Sequence, residues 1–137
     1  MDRADFLDLF FEESDDRVRE LQASLPRLRR TPGDAEVLNL SFRCAHSLKG
    51  GSAMMGFAEL TRFTHSLEAV LDHLRSGRRP VTPAIVDTLL ASADVLHALV
   101  GRSRNQTEAS PAERATAERI IAALDAFCGV TPSLRPT

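Results

Sequence analysis

Apolar residues recur along this chain at three- and four-residue steps, the spacing of one face of a helix. Leu7, Phe10, Val18, Leu21, Leu25 and Leu28 form the first stripe, over residues 3–29. Asp2 is placed to cap its start, and Pro32-Gly33 reads as the turn that follows. Leu38, Ala45, Leu48, Ser52 and Met55 predict a second helix over 34–55, breaking at Gly56. Leu60, Phe63, Leu67, Leu71 and Leu74 predict a third over 58–75, stopping at Gly77. After a loop, Thr82 and Pro83 have the cap and first-turn chemistry of a fourth helix over 83–100, with Ile85, Leu89, Leu96 and Val100 inward. Ser110-Pro111-Ala112-Glu113 is a capping box opening a fifth, whose stripe is Ile120, Leu124 and Phe127 and which ends at Gly129.

No alternation of period two is long enough for a strand. Long amphipathic helices joined by short connections pack antiparallel, so the expected fold is all-α: an up-down four-helix bundle with an additional C-terminal fifth helix. One domain is expected over 1–129, with 130–137, which holds two prolines, a tail or the start of an interdomain linker.

Composition changes this picture little. The 137 residues are 43% hydrophobic and 26% charged, enough for a packed core. A formal net charge of -2 argues against nucleic acid or an anionic membrane as partner. No apolar run reads as long enough to span a bilayer, and the N-terminus is acidic rather than signal-like, which points to the cytoplasm. Cys44 and Cys128 fall in separate helices and read as reduced, half-buried thiols. Of 17 basic residues only Lys49 is lysine, a compact, strongly hydrated ammonium among planar guanidinium groups.

The candidate chemistry lies in Ala45-His46-Ser47-Leu48-Lys49-Gly50-Gly51-Ser52. At about 100° per residue, His46 points roughly 130° away from the Leu38/Ala45/Leu48 stripe and so faces solvent or a groove edge. Lys49 is one turn on, on the same side. Each mid-helix glycine costs about 0.8–1 kcal/mol relative to alanine. Close packing or a helix break after Lys49 would explain the pair. So would a flat surface at Gly50 and Ala53 on which a partner's active site reaches the imidazole. In the third helix, His65 and Glu68 are three apart, off the apolar stripe. His46 lies ten residues before Gly56 and Glu68 twelve after it, so an antiparallel hairpin sets them at nearly equal height. A carboxylate there can accept from Nδ1–H and leave the Nε2 lone pair free as nucleophile. A solvated charge paired to Arg75 or Arg43 is the plainer reading of Glu68. His73 and His97 have no comparable setting and read as surface or edge residues.

The run Phe42-Arg43-Cys44-Ala45-His46-Ser47-Leu48-Lys49-Gly50-Gly51, then Gly56-Phe57, then Leu60-Thr61-Arg62-Phe63-Thr64-His65-Ser66-Leu67-Glu68, resembles the histidine-phosphotransfer (HPt) domain at the N-terminus of CheA-type chemotaxis histidine kinases. Helix order, lengths and breaks fit over nearly the whole chain. Ala53-Met54-Met55 departs from the smaller or aromatic residues of many relatives. The resemblance implies that His46 accepts and donates a phosphoryl group at Nε2, that Glu68 orients it, and that Lys49 and His65 lie beside the phosphoryl group. Phe42, Arg43, Gly50 and Ala53 would border the docking partner. The implied partners are a histidine-kinase catalytic domain, in cis or trans, and a response-regulator receiver domain whose aspartate takes the group. By the same resemblance the module is a carrier and not an enzyme by itself, and the domain is expected to be monomeric. It binds no cofactor, ATP and Mg²⁺ being used by partner domains. The chain has no phosphate-binding loop of its own. The rival readings are a metal-binding bundle using His46, His65 and Glu68, and a plain helical adaptor in which His46 is incidental.

Overall fold

The computed structural model describes residues 1–129; the expected tail at 130–137 lies outside the described residues. Five α-helices follow one another: α1 (Arg3–Ser24), α2 (Ala35–Met55), α3 (Ala58–Arg75), α4 (Pro83–Asn105) and α5 (Pro111–Phe127). Their starts follow local chemistry. Asp2 and Asp5 exchange side chain-to-backbone bonds at 3.0 and 3.1 Å. Thr82 accepts from the Ile85 amide at 3.3 Å, and Ser110 and Glu113 complete the capping box at 3.1 and 2.9 Å.

Two helix ends differ from the pattern reading. The stretch expected to be helical through residue 29 tightens into a 3₁₀ segment, Leu25–Arg29. Pro26 lacks the amide that would continue the α-helical ladder. In the other direction, α4 does not stop at Val100 but runs five residues further, to Asn105, closed by Gln106 in the left-handed region at φ 55°. The two arginines of that extra length hold it to the bundle. Arg102 pairs with Glu113 of α5 at 2.8 Å, and Arg104 pairs with Asp15 of α1. Both cations also sit favourably at the negative end of the helix dipole.

The inward stripes meet in one core. Phe63, Leu21, Leu48, Leu67, Leu89, Leu96 and Leu124 are among its fully buried side chains. Each contributes about 1.5–3 kcal/mol of burial. Helix α1 packs on α2 and α4, α3 packs on α2 and α4, and α5 rests along α3 and α4. The expected four-helix bundle with a fifth helix alongside is therefore the architecture found. Within α5 the inward face is turned from the expected one. Ala117, Ile121 and Leu124 are buried, whereas Ile120 and Phe127 are only partly so. Cys44 is also deeper than expected, 2% exposed.

Helix α4 corrects a further expectation. It is long and apolar enough to cross a membrane by length and composition, with a mean hydropathy of 1.5 in its most apolar window. Half of that window is buried inside the bundle, as befits a helix with Ile85, Val86, Leu89, Leu96 and Val100 in the core.

Candidate functional site

The α2–α3 hairpin places the site. Helix α2 runs unbroken through Gly50-Gly51 and ends at Gly56, whose φ of 82° lets the backbone turn left-handed. The Phe57 amide donates back to the Ser52 carbonyl at 2.9 Å, and α3 begins at once. Ser52 and Thr61 hydroxyls meet across the fold-back at 2.9 Å. With the helices so registered, His46 and Glu68 come level: Nδ1 lies 2.8 Å from Glu68 Oε2.

Glu68 joins two partners. Its Oε1 accepts from Lys49 Nζ at 2.7 Å. It does not pair with Arg75 or Arg43, the alternatives open from sequence: Arg75 is bound to Asp72 at 3.0 Å. Glu68 is mostly buried, its side chain 15% exposed, while that of His46 is 66% exposed. Desolvation alone would raise the Glu68 carboxyl. The hydrogen bonds from Lys49 and His46, with their charges, outweigh it and hold the group below the usual carboxylate range. An ionised acceptor at Nδ1 favours the tautomer with its proton on Nδ1, which leaves Nε2 unprotonated on a side chain that is largely exposed.

The two glycines have different reasons. A Cβ on Gly51 would stand 3.1 Å from the Phe10 ring of α1, so this position is a close helix approach. A Cβ on Gly50 would meet nothing within 4 Å. Gly50 and Ala53 are both exposed, leaving the surface beyond His46 low. Arg43 is exposed too, but Phe42 is half-buried against the core. The exposed His65 is not one of the hydrogen-bond partners of Glu68, which are His46 and Lys49. It lines a groove of about 480 Å³ with Lys49, Ala53, Gly56, Thr61 and Arg62. His73 is half-buried and His97 exposed.

Sequence reasoning missed one neighbour. The Phe42 ring stacks on His46, centroids 6.0 Å apart and planes inclined by 16°. The Arg75 guanidinium lies 3.7 Å from the Phe42 centroid. The i, i+4 spacing of Phe42 and His46 was the available signal; nothing local announced Arg75.

As for metal, among the described residues no three His, Cys, Asp or Glu side chains converge as a ligand set. His46, His65 and Glu68 are thus not assembled for that role.

This exposed, carboxylate-bound imidazole on a helical hairpin fits what comparison with known proteins finds. A model of the Hpt domain matches residues 5–127, and the chain belongs to that family. It is 39% identical over 100 residues to the chemotaxis protein CheA of Bacillus subtilis, a match covering 73% of this chain and 15% of the relative. Among solved structures it resembles the CheA phosphotransferase domain from Thermotoga maritima, with TM-score 0.68 and 29% identity over 75% of this chain and 98% of that one. It also shares the fold of a phosphorylated P1 domain of CheA3 from R. sphaeroides, solved in complex with CheY6. There the TM-score is 0.76 and the identity 21%, over 90% of this chain and 98% of that one. The chain spans only a small part of its curated relatives' length, 15% and 16% for the CheA proteins of B. subtilis and Rhizobium meliloti.

Proposed function

We propose that this chain is the phosphotransfer module of a chemotaxis-type two-component pathway, working in the cytoplasm, with His46 as the phosphoryl carrier. The observation that carries the reading is the exposed imidazole whose Nδ1 is held 2.8 Å from a mostly buried carboxylate. In the first step the Nε2 lone pair attacks the γ-phosphorus of ATP held by a kinase catalytic domain. The Nε2–P bond forms, the bond to the bridging oxygen breaks, and its electron pair leaves with ADP. No proton need leave the ring. Nδ1 keeps its hydrogen, the phosphorylated ring becomes cationic, and Glu68 faces that charge.

In the second step a receiver aspartate attacks the phosphorus and the electron pair returns to Nε2. Imidazole is a good leaving group, which suits a relay. Glu68 orients and steadies the ring. Lys49, resting on Glu68 at 2.7 Å, offsets part of the roughly -1.5 to -2 charge brought by a phosphoryl group. His65, which lines the neighbouring groove together with Lys49, supports it. Gly50, Ala53 and Arg43 border the approach of both partners. ATP and Mg²⁺ belong to the kinase partner, whose electrostatics dominate transfer. The module is a carrier within a longer histidine kinase of the CheA kind. The capture of a phosphorylated P1 domain of this fold with CheY6 supports a receiver as the recipient.

The test is incubation with a CheA catalytic domain and labelled ATP. The wild-type chain takes up phosphate that is labile in acid and stable in base, and His46→Gln takes up none. Label that survives acid, or label on His46→Gln, contradicts the proposal.

A further inference from the structure

A side-chain ring hangs on two torsions, χ1 and χ2, and one hydrogen-bond distance removes only one of those freedoms. The contact from His46 Nδ1 to Glu68 therefore leaves a coupled change of χ1 and χ2 that moves Nε2 through an arc. With the side chain 66% exposed, the bundle encloses little of the ring. One aromatic ring does flank it. Phe42, one helical turn earlier on α2, lies nearly parallel to the imidazole, at an inclination of 16°. Phe42 is in turn held on two sides. Its inner part packs against the core, and the Arg75 guanidinium of α3 covers the ring at 3.7 Å. Arg75 is anchored by Asp72 at 3.0 Å, and Asp72 is itself bound by Arg78 at 2.7 Å. The Asp72 carboxylate offsets the charge of Arg75, so the guanidinium acts here through position.

We propose that Phe42 is a positioning residue for phosphoryl transfer, a plate that sets the plane of the His46 imidazole, and that Arg75 locks the plate. The inference rests on His46 being the carrier and adds what aims it. Glu68 determines which nitrogen is free; Phe42 determines where its lone pair points. Aim matters only when the donor is itself held in one orientation, as ATP is in a kinase domain. A small donor that tumbles freely has no such requirement. Phosphoramidate is one: its N–P bond breaks as ammonia leaves and the Nε2–P bond forms.

The experiment compares the two donors. Wild type, Phe42→Leu, Phe42→Tyr and Arg75→Met are phosphorylated by a CheA catalytic domain with ATP, and separately by phosphoramidate. Phe42→Leu keeps an apolar helix-forming side chain but removes the plate; Phe42→Tyr keeps the plate. With the kinase, Phe42→Leu lowers kcat about three- to tenfold at unchanged KM, Arg75→Met about two- to threefold, and Phe42→Tyr stays within about twofold of wild type. With phosphoramidate all four react at the wild-type rate.

Kinase-dependent rates equal for wild type and Phe42→Leu overturn the inference. So does a loss seen equally with both donors, which marks damage to the fold or nucleophile, or a change confined to KM, which marks docking. A wild-type chain that takes no phosphate on His46 from either donor removes the carrier reading, and this inference with it.

Discussion

Replacing Glu68 by glutamine tests the electrostatic half of the site. The carboxylate has one oxygen for each partner, Oε2 at 2.8 Å from His46 Nδ1 and Oε1 at 2.7 Å from Lys49 Nζ. An amide keeps a single acceptor. If its oxygen stays with Lys49, its NH₂ faces Nδ1 and demands the opposite tautomer, with the proton on Nε2, where the nucleophile should be. If its oxygen turns to Nδ1, the NH₂ is driven against the Lys49 ammonium. A hydrogen bond to a charged group contributes about 1.5–3 kcal/mol net. The 66% exposure of the His46 side chain lets water compete. The figure is therefore discounted to about 0.5–1.5 kcal/mol. At 1.36 kcal/mol per factor of ten, Glu68→Gln should phosphorylate about two- to thirteenfold more slowly, and Glu68→Ala at least as slowly. The assay is the initial rate of phosphate incorporation at saturating kinase domain and ATP, with thermal melting followed in parallel. Rates within twofold of wild type, in variants that melt as wild type does, would refute the orienting role.

Three further outcomes are expected. Gly50→Ala, whose new methyl meets nothing within 4 Å, should stabilise α2 by about 0.5–1 kcal/mol in denaturant unfolding. Gly51→Ala gains the same propensity but drives a methyl to 3.1 Å from the Phe10 ring, so it should come out about 0–2 kcal/mol less stable than wild type. A Gly51→Ala chain more stable than Gly50→Ala would contradict the packing reading. The second outcome concerns pH. Glu68 is depressed in the folded chain, so its contribution is present above the unfolded value of about 4.3 and is lost as pH falls through the folded value. Acidification from pH 5 should therefore lower the Tm of the wild type more than that of Glu68→Gln, and parallel curves would contradict it. The third concerns Cys44. Burial first, then the hydrogen bond with Glu20 at 3.2 Å, pushes its thiol up to about 12. Iodoacetamide at neutral pH should label Cys128, which is half-buried, well before Cys44. Equal labelling in the folded chain would count against this placement.

What the sequence made legible was whatever depends on local spacing. Gly56 sets the fold-back, a constant rise per residue does the rest, and His46 meets Glu68 at the height the residue count implies. Caps at Asp2, Thr82 and Ser110 were readable because each is a side chain bonding its own helix. What escaped depends on contacts between distant elements. Arg102 and Arg104 carry α4 past Gly101 by pairing with α5 and α1, which no local rule reports. The face of α5 is set by how Ala117 and Ile121 fit against α3 and α4, and Ile120 satisfies the same periodicity equally well. Gly50-Gly51 looked like one feature and is two, because only Gly51 has Phe10 opposite it. Lys49 was readable as a cation near the imidazole, but its seat on Glu68, and the Arg75 cover on Phe42, exist only once α2 and α3 are paired.

The proposed relay needs Nε2 of His46 as the reacting atom, with Nδ1–H held by Glu68. Nitrogen-15 NMR of the histidine-labelled chain, before and after phosphorylation, reads it directly. A protonated Nδ1 and a bare Nε2 are expected in the neutral ring, then phosphorus–nitrogen coupling at Nε2 with Nδ1 still carrying its proton. Phosphorus coupled to Nδ1, or to a nitrogen of another histidine, would contradict it.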